Sequence, residues 1–220
     1  MTETTWILDE QTGALTIEGL SQSELTATAD DLLTNGESVN CARPLHYQPF
    51  NHVNVTTDAE PTLRVYRIYH GSVVKGFGRR SVVQLAGCWQ RCIGCFVPET
   101  HPLDSGVTMS VRELVSLLLA NEGEPRDGVT VIGGEPFLQP NGLLALAQSL
   151  KRHDQHLTIY SGYTLEQLLA RDDAQVIQQI LTLTDILIDG PFVKALANNA
   201  GEWRGSTNQR ILAHPFTLTA

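Results

Sequence analysis

Residues 87–96 read Gly87-Cys-Trp-Gln-Arg-Cys-Ile-Gly-Cys-Phe96 and place Cys88, Cys92 and Cys95 in a C-x3-C-x2-C pattern. A fully extended residue spans at most about 3.5 Å, so the chain between these cysteines is too short for independent thiols. A loop that curls back on itself would bring the three sulfur atoms around one small object. Three thiolates rather than four indicate a metal centre with one open coordination position, which is where chemistry takes place.

The spacing of the cysteines leaves three kinds of site open. A structural zinc site requires four ligands. The remaining cysteine, Cys41, lies far upstream in the chain, so it or a histidine would have to supply the fourth ligand. A disulfide is disfavoured because the chain has few cysteines, no signal peptide and no long apolar run, which together predict a reducing, cytoplasmic setting. An iron–sulfur cluster is the third interpretation, since cysteine thiolates are its usual ligands and three of them leave one iron open.

A second motif follows a short apolar run that predicts a buried strand, residues 129–132. The run ends in Gly133-Gly134-Glu135-Pro136, where two glycines allow a close approach of the backbone to a ligand. Ligands bind at the carboxyl ends of strands in α/β sheets, and Glu135 offers acceptors there. A simple strand-ending turn explains the same residues, because Gly and Pro mark turns in all kinds of proteins.

Together the two motifs resemble those of the radical S-adenosylmethionine (SAM) enzymes. The resemblance implies that Cys88, Cys92 and Cys95 hold a [4Fe-4S] cluster whose fourth iron binds the amino and carboxylate groups of SAM. It implies that Gly133, Gly134, Glu135 and Pro136 contact the methionyl end of SAM. Three further SAM contacts are expected: the Gly94 backbone, Phe96 along the adenine, and Asp189 at the end of a later strand. No catalytic side chain beyond the cluster and SAM is predicted.

Three downstream segments narrow the resemblance to the activases of glycyl radical enzymes. These segments are Tyr160–Leu168, Asp185–Phe192 and Trp203–Ile211. They are most similar to those of the activating proteins of anaerobic ribonucleotide reductase, and the resemblance covers residues from about 64 to 212. The loop Lys75–Arg79 and Ile93 depart from the usual pattern, and the resemblance would place that loop near the partner's glycine.

The resemblance implies an activity. An electron from flavodoxin or ferredoxin would reach the cluster and cleave SAM to methionine and a 5′-deoxyadenosyl radical, which would take hydrogen from one glycine of a partner glycyl radical enzyme. Such a radical requires an anaerobic setting. Two alternatives stay open: a radical SAM enzyme acting on a small molecule, similar to the deazaguanine-forming synthases, and a zinc-stabilised binding module without enzymatic activity.

The composition is that of an ordinary globular protein, with 42% hydrophobic and 18% charged residues among 220. The net charge of −9 disfavours nucleic acid and anionic membranes as partners, because both carry negative charge. Composition does not distinguish a protein substrate from a small molecule.

From residue 61 onward the pattern alternates between strands and helices. The predicted strands cover residues 63–69, 80–85, 129–132, 157–160 and 186–188, and the predicted helices cover 110–119, 141–152, 164–170 and 174–183. Strands that recur with helices between them predict parallel pairing. The number of units is too small for a closed eight-stranded barrel. We therefore expect an α/β fold, a partial (β/α)6-type barrel with parallel strands that is open along one side.

Residues 1–60 differ from the rest and predict an N-terminal α+β extension of unknown role beside a radical SAM domain at 61–220. Residues 6–8 and 14–19 are expected to form a hairpin, and 21–33 a short helix. Cys41 is expected to be an ordinary thiol, because a second cluster would need more cysteines than the chain contains.

Overall fold

The computed structural model describes residues 60–120 and 125–216, together with the backbone of two short strands near the amino terminus. The chain divides into two compact units, Met1–Val55 and Thr56–Ala220. In the first unit, strands β1 (Thr5–Leu8) and β2 (Leu15–Glu18) pair antiparallel. This pairing confirms the predicted hairpin. The predicted helix at 21–33 and Cys41 lie outside the described residues.

The described part of the second unit is built on a seven-stranded sheet. Its strands are β3 (Thr62–Ser72), β4 (Arg80–Leu85), β5 (Val107–Ser110), β6 (Gly128–Gly133), β7 (Leu157–Tyr160), β8 (Ile186–Asp189) and β9 (Arg210–Ala213). Their spatial order is β5-β3-β4-β6-β7-β8-β9. The central strands β4, β6, β7 and β8 are parallel, and the flanking strands β3, β5 and β9 pair antiparallel.

The predicted α/β class is confirmed, but the six-unit parallel barrel is not. Only four of the seven described strands of this sheet are parallel. Strand β3 meets β4 through a loop rather than a helical crossover, and the edge strands β5 and β9 also pair antiparallel. Strands β5 and β9 were not predicted from the sequence. Both are four residues long and largely exposed at the sheet edges, so they lack the apolar alternation that marks a strand.

Four α-helices connect the parallel strands within the described residues, namely α1 (Val111–Leu119), α2 (Pro140–Arg152), α3 (Leu165–Leu169) and α4 (Ala174–Thr182). The predicted helix starts are confirmed at Ser110, whose hydroxyl accepts from the Glu113 amide, and at Thr164, which forms a complete capping box with Gln167. The buried face of α1 repeats at helical spacing through Val111, Leu114, Val115 and Leu118.

The hydrophobic core lies between these helices and one face of the sheet. Alternate residues of the parallel strands point into it, including Val83 and Leu85 of β4 and Val129 and Val131 of β6. This packing fixes the register of the sheet, since a shift by one residue would turn these side chains out of the core.

The loop between β3 and β4 lies at the end of β4 that is opposite the cysteines. It is held there by Arg80, which is fully buried and donates to Thr130 Oγ1 and to the carbonyls of Phe77, Val129 and His156. A strand of six residues spans roughly 20 Å. Lys75–Arg79 therefore lies about one strand length from the cysteine loop, and its expected proximity to the partner's glycine stays a prediction.

Candidate metal and cofactor site

The carboxyl ends of the four parallel strands meet at one edge of the sheet, where α/β proteins bind their ligands. Strand β4 leads into Gly87 and Cys88, β6 ends at Gly133, β7 leads into Ser161 and Gly162, and β8 ends at Asp189. The parallel pairing thus brings together motifs that are far apart in the chain. The cysteine and glycine motifs share this edge because β4 and β6 are direct neighbours, with Leu85 opposite Gly133.

The cysteine loop, residues 87–96, is anchored at its start and closed by a turn. The amides of Gly87 and Cys88 donate to the carbonyls of Thr100 and His101, at 2.8 and 3.1 Å. The Cys95 amide donates to the Cys92 carbonyl at 3.1 Å. Gly94 has φ of +72°, which L side chains rarely adopt, so this turn requires glycine. All three cysteines are thiols, with Cys88 buried and the other two partly exposed.

The surroundings of Cys88 suit a metal ligand better than an isolated thiolate. Burial, together with the nearby Glu135 carboxylate, raises the pKa of this thiol to about 12. A bound metal ion deprotonates a coordinating thiol outright, because its positive charge outweighs the desolvation. The donor set therefore fits an iron–sulfur cluster: three thiols on one closed loop, the most buried of which needs a cation to ionise.

No group of three or more His, Cys, Asp or Glu side chains within the described ranges is close enough to hold a metal ion. A [4Fe-4S] cluster does not require the sulfur atoms to meet at one point, since each cysteine binds a different iron. The arrangement of the thiols is thus compatible with a cluster.

Gly133 and Gly134 are required by the packing of the chain itself. Gly133 has φ of +130°, and a Cβ there would lie 2.2 Å from the Leu85 nitrogen. A Cβ on Gly134 would lie 2.1 Å from the Gly87 carbonyl oxygen, immediately before Cys88. The Gly134 amide donates to the Leu85 carbonyl and the Glu135 amide donates to the Gly87 carbonyl, both at 2.8 Å. The glycine motif is therefore a support for the cysteine loop.

Glu135 is buried and joins the ends of β6 and β7. Its Oε1 accepts from the Phe137 amide and the Ser161 hydroxyl, both at 3.0 Å, and its Oε2 accepts from the Gly162 amide at 2.8 Å. Pro136, also buried, begins the short 3-10 helix Pro136–Leu138. The carboxylate predicted as an acceptor for a ligand is thus already bonded to three donors of the chain.

Glu135 should make the stability of the metal-free protein depend on pH. Burial raises its pKa to about 7 against the opposing effect of its hydrogen bonds, so folding favours the protonated form. The resulting stability is present below the ordinary value of 4.5 and is lost as the pH rises through about 7. From pH 5 to pH 8, we expect the free energy of unfolding, measured in urea, to fall by roughly 2–3 kcal/mol more in the wild type than in Glu135→Gln. Equal losses in both proteins would contradict this prediction.

Asp189 lies at the end of β8 and is fully buried. Its Oδ1 accepts from Arg210 Nε at 2.9 Å, and its Oδ2 accepts from Arg210 Nη2 and from the Leu165 amide. Arg210 also contacts both carboxylate oxygens of the exposed Glu166. The hydrogen bonds to Asp189 and Glu166 raise the pKa of Arg210, and Arg210 lowers the pKa of Glu166 to about 2. The predicted contact of Asp189 with SAM stays a prediction, but the carboxylate also holds β9 and α3 in place.

Removing the Arg210 side chain should be costly because it leaves a buried carboxylate without its cation. We expect Arg210→Ala to lower the free energy of unfolding by about 2–3 kcal/mol, below the full range for a buried pair because Arg210 is partly exposed. Glu166→Ala is the matched control, because it removes the exposed partner of the same guanidinium and should cost far less. Similar losses for the two variants in urea unfolding would show that Asp189 does not depend on Arg210.

Phe96 and Gly94 contact the segment that follows β8. The Phe96 side chain is 73% exposed, and its ring centroid lies 4.9 Å from that of Phe192. The Lys194 side chain crosses Gly94, so that a Cβ there would lie 2.7 Å from Lys194 Cδ. Gln90 of the cysteine loop packs in the same way against Gly162, 2.9 Å from the position of a Cβ. The segments that follow β6, β7 and β8 therefore all contact the cysteine loop.

The comparisons with known proteins agree with this site. A family model described as "4Fe-4S single cluster domain" matches residues 74–212. An anaerobic ribonucleoside-triphosphate reductase-activating protein from Vibrio cholerae is 35% identical over 71% of this chain and 100% of its own length. The corresponding protein of Enterobacteria phage T4 is 31% identical over 66% of this chain and 90% of its own. This chain belongs to the family of anaerobic ribonucleoside-triphosphate reductase-activating proteins.

Membership of the activating-protein family confirms the resemblance inferred from the motifs and favours a cluster over zinc. The solved structure of QueE from Escherichia coli is 18% identical to this chain, with a TM-score of 0.41, and the match covers 47% of this chain and 53% of that one. Among the described residues of this family member, no helix is both long and apolar enough to cross a membrane.

Three residues that hold the segment after β8 in place were not predicted from the sequence. The Ser206 hydroxyl accepts from the Val193 amide at 3.1 Å, and Gln209 Nε2 donates to the Gly190 carbonyl at 2.9 Å. Asn208 Nδ2 donates to the Pro191 carbonyl at 2.8 Å. The segment Trp203–Ile211 had been recognised by its resemblance, but its contacts depend on the antiparallel β9, which was not predicted.

Proposed function

We propose that this protein is a radical SAM activase that cleaves SAM reductively at a [4Fe-4S] cluster and generates a glycyl radical on an anaerobic ribonucleotide reductase. The observation that supports this most strongly is the adjacency of the cysteine loop and Gly133–Pro136 at one sheet edge, in a chain whose relatives are named as activating proteins of that enzyme.

In this proposal Cys88, Cys92 and Cys95 would hold a [4Fe-4S] cluster, and SAM would bind beside them. When bound, the cluster and SAM supply a 5′-deoxyadenosyl radical that is able to take hydrogen from carbon. The chain itself places the ligands and limits the access of water. Cys88 is buried, and the backbone bond from Glu135 to Gly87 holds the cysteine loop against the end of β6. The bond from Gly134 to Leu85 joins the ends of β6 and β4.

Contacts with SAM are assigned to the residues around this edge. The backbone of Gly133–Pro136 is placed at the methionyl end, the Gly94 backbone and the Phe96 ring at the adenine, and Asp189 near the ribose. Because the Asp189 carboxylate is bonded to Arg210 and Leu165, any such contact uses its remaining acceptor capacity.

The partners follow from the same chemistry. The substrate is a protein, the glycyl radical enzyme, and the electron donor is flavodoxin or ferredoxin in an anaerobic cytoplasm. The net charge of −9 supports the exclusion of nucleic acid and anionic membranes. The proposal retains residues 1–60 as an extension of unknown role and 61–220 as the radical SAM domain.

Electron spin resonance tests the proposed substrate. Reduced, cluster-loaded protein mixed anaerobically with SAM and an anaerobic ribonucleotide reductase should produce the doublet signal of a glycyl radical. Omitting SAM, or replacing the target glycine of the reductase by alanine, should abolish the signal. Cleavage of SAM without a glycyl radical, together with turnover of a pterin-like compound, would instead identify a small-molecule enzyme.

A further inference from the structure

Phe96 is the residue directly after Cys95 and one of the most exposed large apolar side chains in the described part of the chain. Its ring is nevertheless held, because it meets Phe192 at a centroid distance of 4.9 Å and an interplanar angle of 50°. Tilted aromatic pairs of this kind are stabilised beyond the area that they bury. The Phe96 ring is therefore contacted by Phe192 on one side, and the rest of the ring is accessible to a ligand.

Phe192 is supported from behind by the segment that precedes β9. A Cβ on Gly205 would lie 3.1 Å from Phe192 Cδ2, so the ring lies close against a position that has no side chain. Asn208 and Gln209 bond the carbonyls of Pro191 and Gly190, and Ser206 bonds the Val193 amide, on both sides of Phe192. The position of this ring is thus set by the hydrogen bonds of its own backbone.

The same segment touches the cysteine loop a second time. The aliphatic part of Lys194 crosses Gly94, two residues before Phe96. The segment 190–194 therefore contacts the loop at both residues that we place at the adenine of SAM. A ring that is already ordered loses less conformational freedom when a ligand stacks on it.

We propose that Phe192 is a positioning residue for the nucleobase of SAM, acting through Phe96. Phe192 does not touch SAM; it holds the Phe96 ring in the orientation in which an adenine stacks on it. The segment Trp203–Ile211 then serves nucleoside binding by bracing Phe192. The inference rests on the proposed function.

Binding measurements on anaerobic, cluster-loaded protein test this role. We expect Phe192→Leu, which keeps an apolar side chain and removes the ring, to weaken the binding of SAM and of 5′-methylthioadenosine by the same factor, about three- to tenfold. Methionine, which lacks the base, should bind as to the wild type, and the iron content should be unchanged. Phe192→Tyr should restore both nucleoside affinities. Phe77→Leu, an exposed ring at the opposite end of β4, is the matched control and should change none of them.

Two results would overturn the inference. Unchanged affinity of Phe192→Leu for both nucleosides would show that the ring does not act on the base. Equal weakening of methionine, or loss of iron, would show that Phe192 only supports the cysteine loop. Both differ from failure of the proposed function, in which the wild-type protein itself would bind no SAM.

Discussion

Alanine at any one of Cys88, Cys92 or Cys95 is expected to abolish SAM cleavage and to deplete the iron that anaerobic reconstitution loads into the wild type, about four atoms per chain. Each thiolate binds a separate iron, so losing one leaves a cluster with two protein ligands and a second open iron. The loss of iron should be largest for Cys88, which is the most buried of the three thiols. Iron analysis, visible absorption and the yield of 5′-deoxyadenosine measure the outcome.

Cys41→Ala is the control for the cysteine variants, since Cys41 lies far from the C-x3-C-x2-C pattern in the sequence. Its iron content and SAM cleavage should equal those of the wild type. Stoichiometric zinc in place of iron in the purified and reconstituted wild type would contradict the cluster and favour a zinc-stabilised binding module.

Gly134→Val is the second change from which we expect a large effect. A Cβ at this position would lie 2.1 Å from the Gly87 oxygen and 2.7 Å from the Gly87 carbonyl carbon. Because the neighbour is backbone, the chain must move, and we expect a loss of about 3 kcal/mol, the upper end of the usual cost of overpacking. The movement displaces Cys88, so the variant should lose iron as well as SAM affinity.

The glycine motif alone predicts that Gly134→Val keeps its iron and loses only its affinity for SAM. The contact between Gly134 and Gly87 changes this prediction to a loss of both. Gly162→Ala is the matched control at the same sheet edge, because its Cβ would meet the flexible Gln90 side chain rather than backbone. It should keep its iron. Full iron loading of Gly134→Val with weakened SAM binding would show that Gly134 serves the ligand and does not support the loop.

Several elements were predictable because their cause is local. The apolar runs of β4, β6 and β7 are buried on both faces, and Ser110 and Thr164 cap helices through hydrogen bonds three residues away. The cysteine spacing is likewise a local property, since so short a loop cannot separate its thiols. The edge strands β5 and β9 were not predictable, because their pairing depends on distant partners and leaves most of their side chains exposed.

The amino-acid pattern was enough to predict the candidate site, namely three thiols on one loop and a glycine motif after a buried strand, and the α/β class around it. The contacts among these residues depend on how distant parts of the chain pack together. Gly134 lies against Gly87 because β4 and β6 are parallel neighbours. The Glu135 carboxylate accepts hydrogen bonds from Ser161 and Gly162, which directly follow β7. Phe192 reaches Phe96 because the loop after β8 is braced by residues that precede β9. Such contacts join residues far apart in the chain, and steric exclusion between them exists only once the strands have paired.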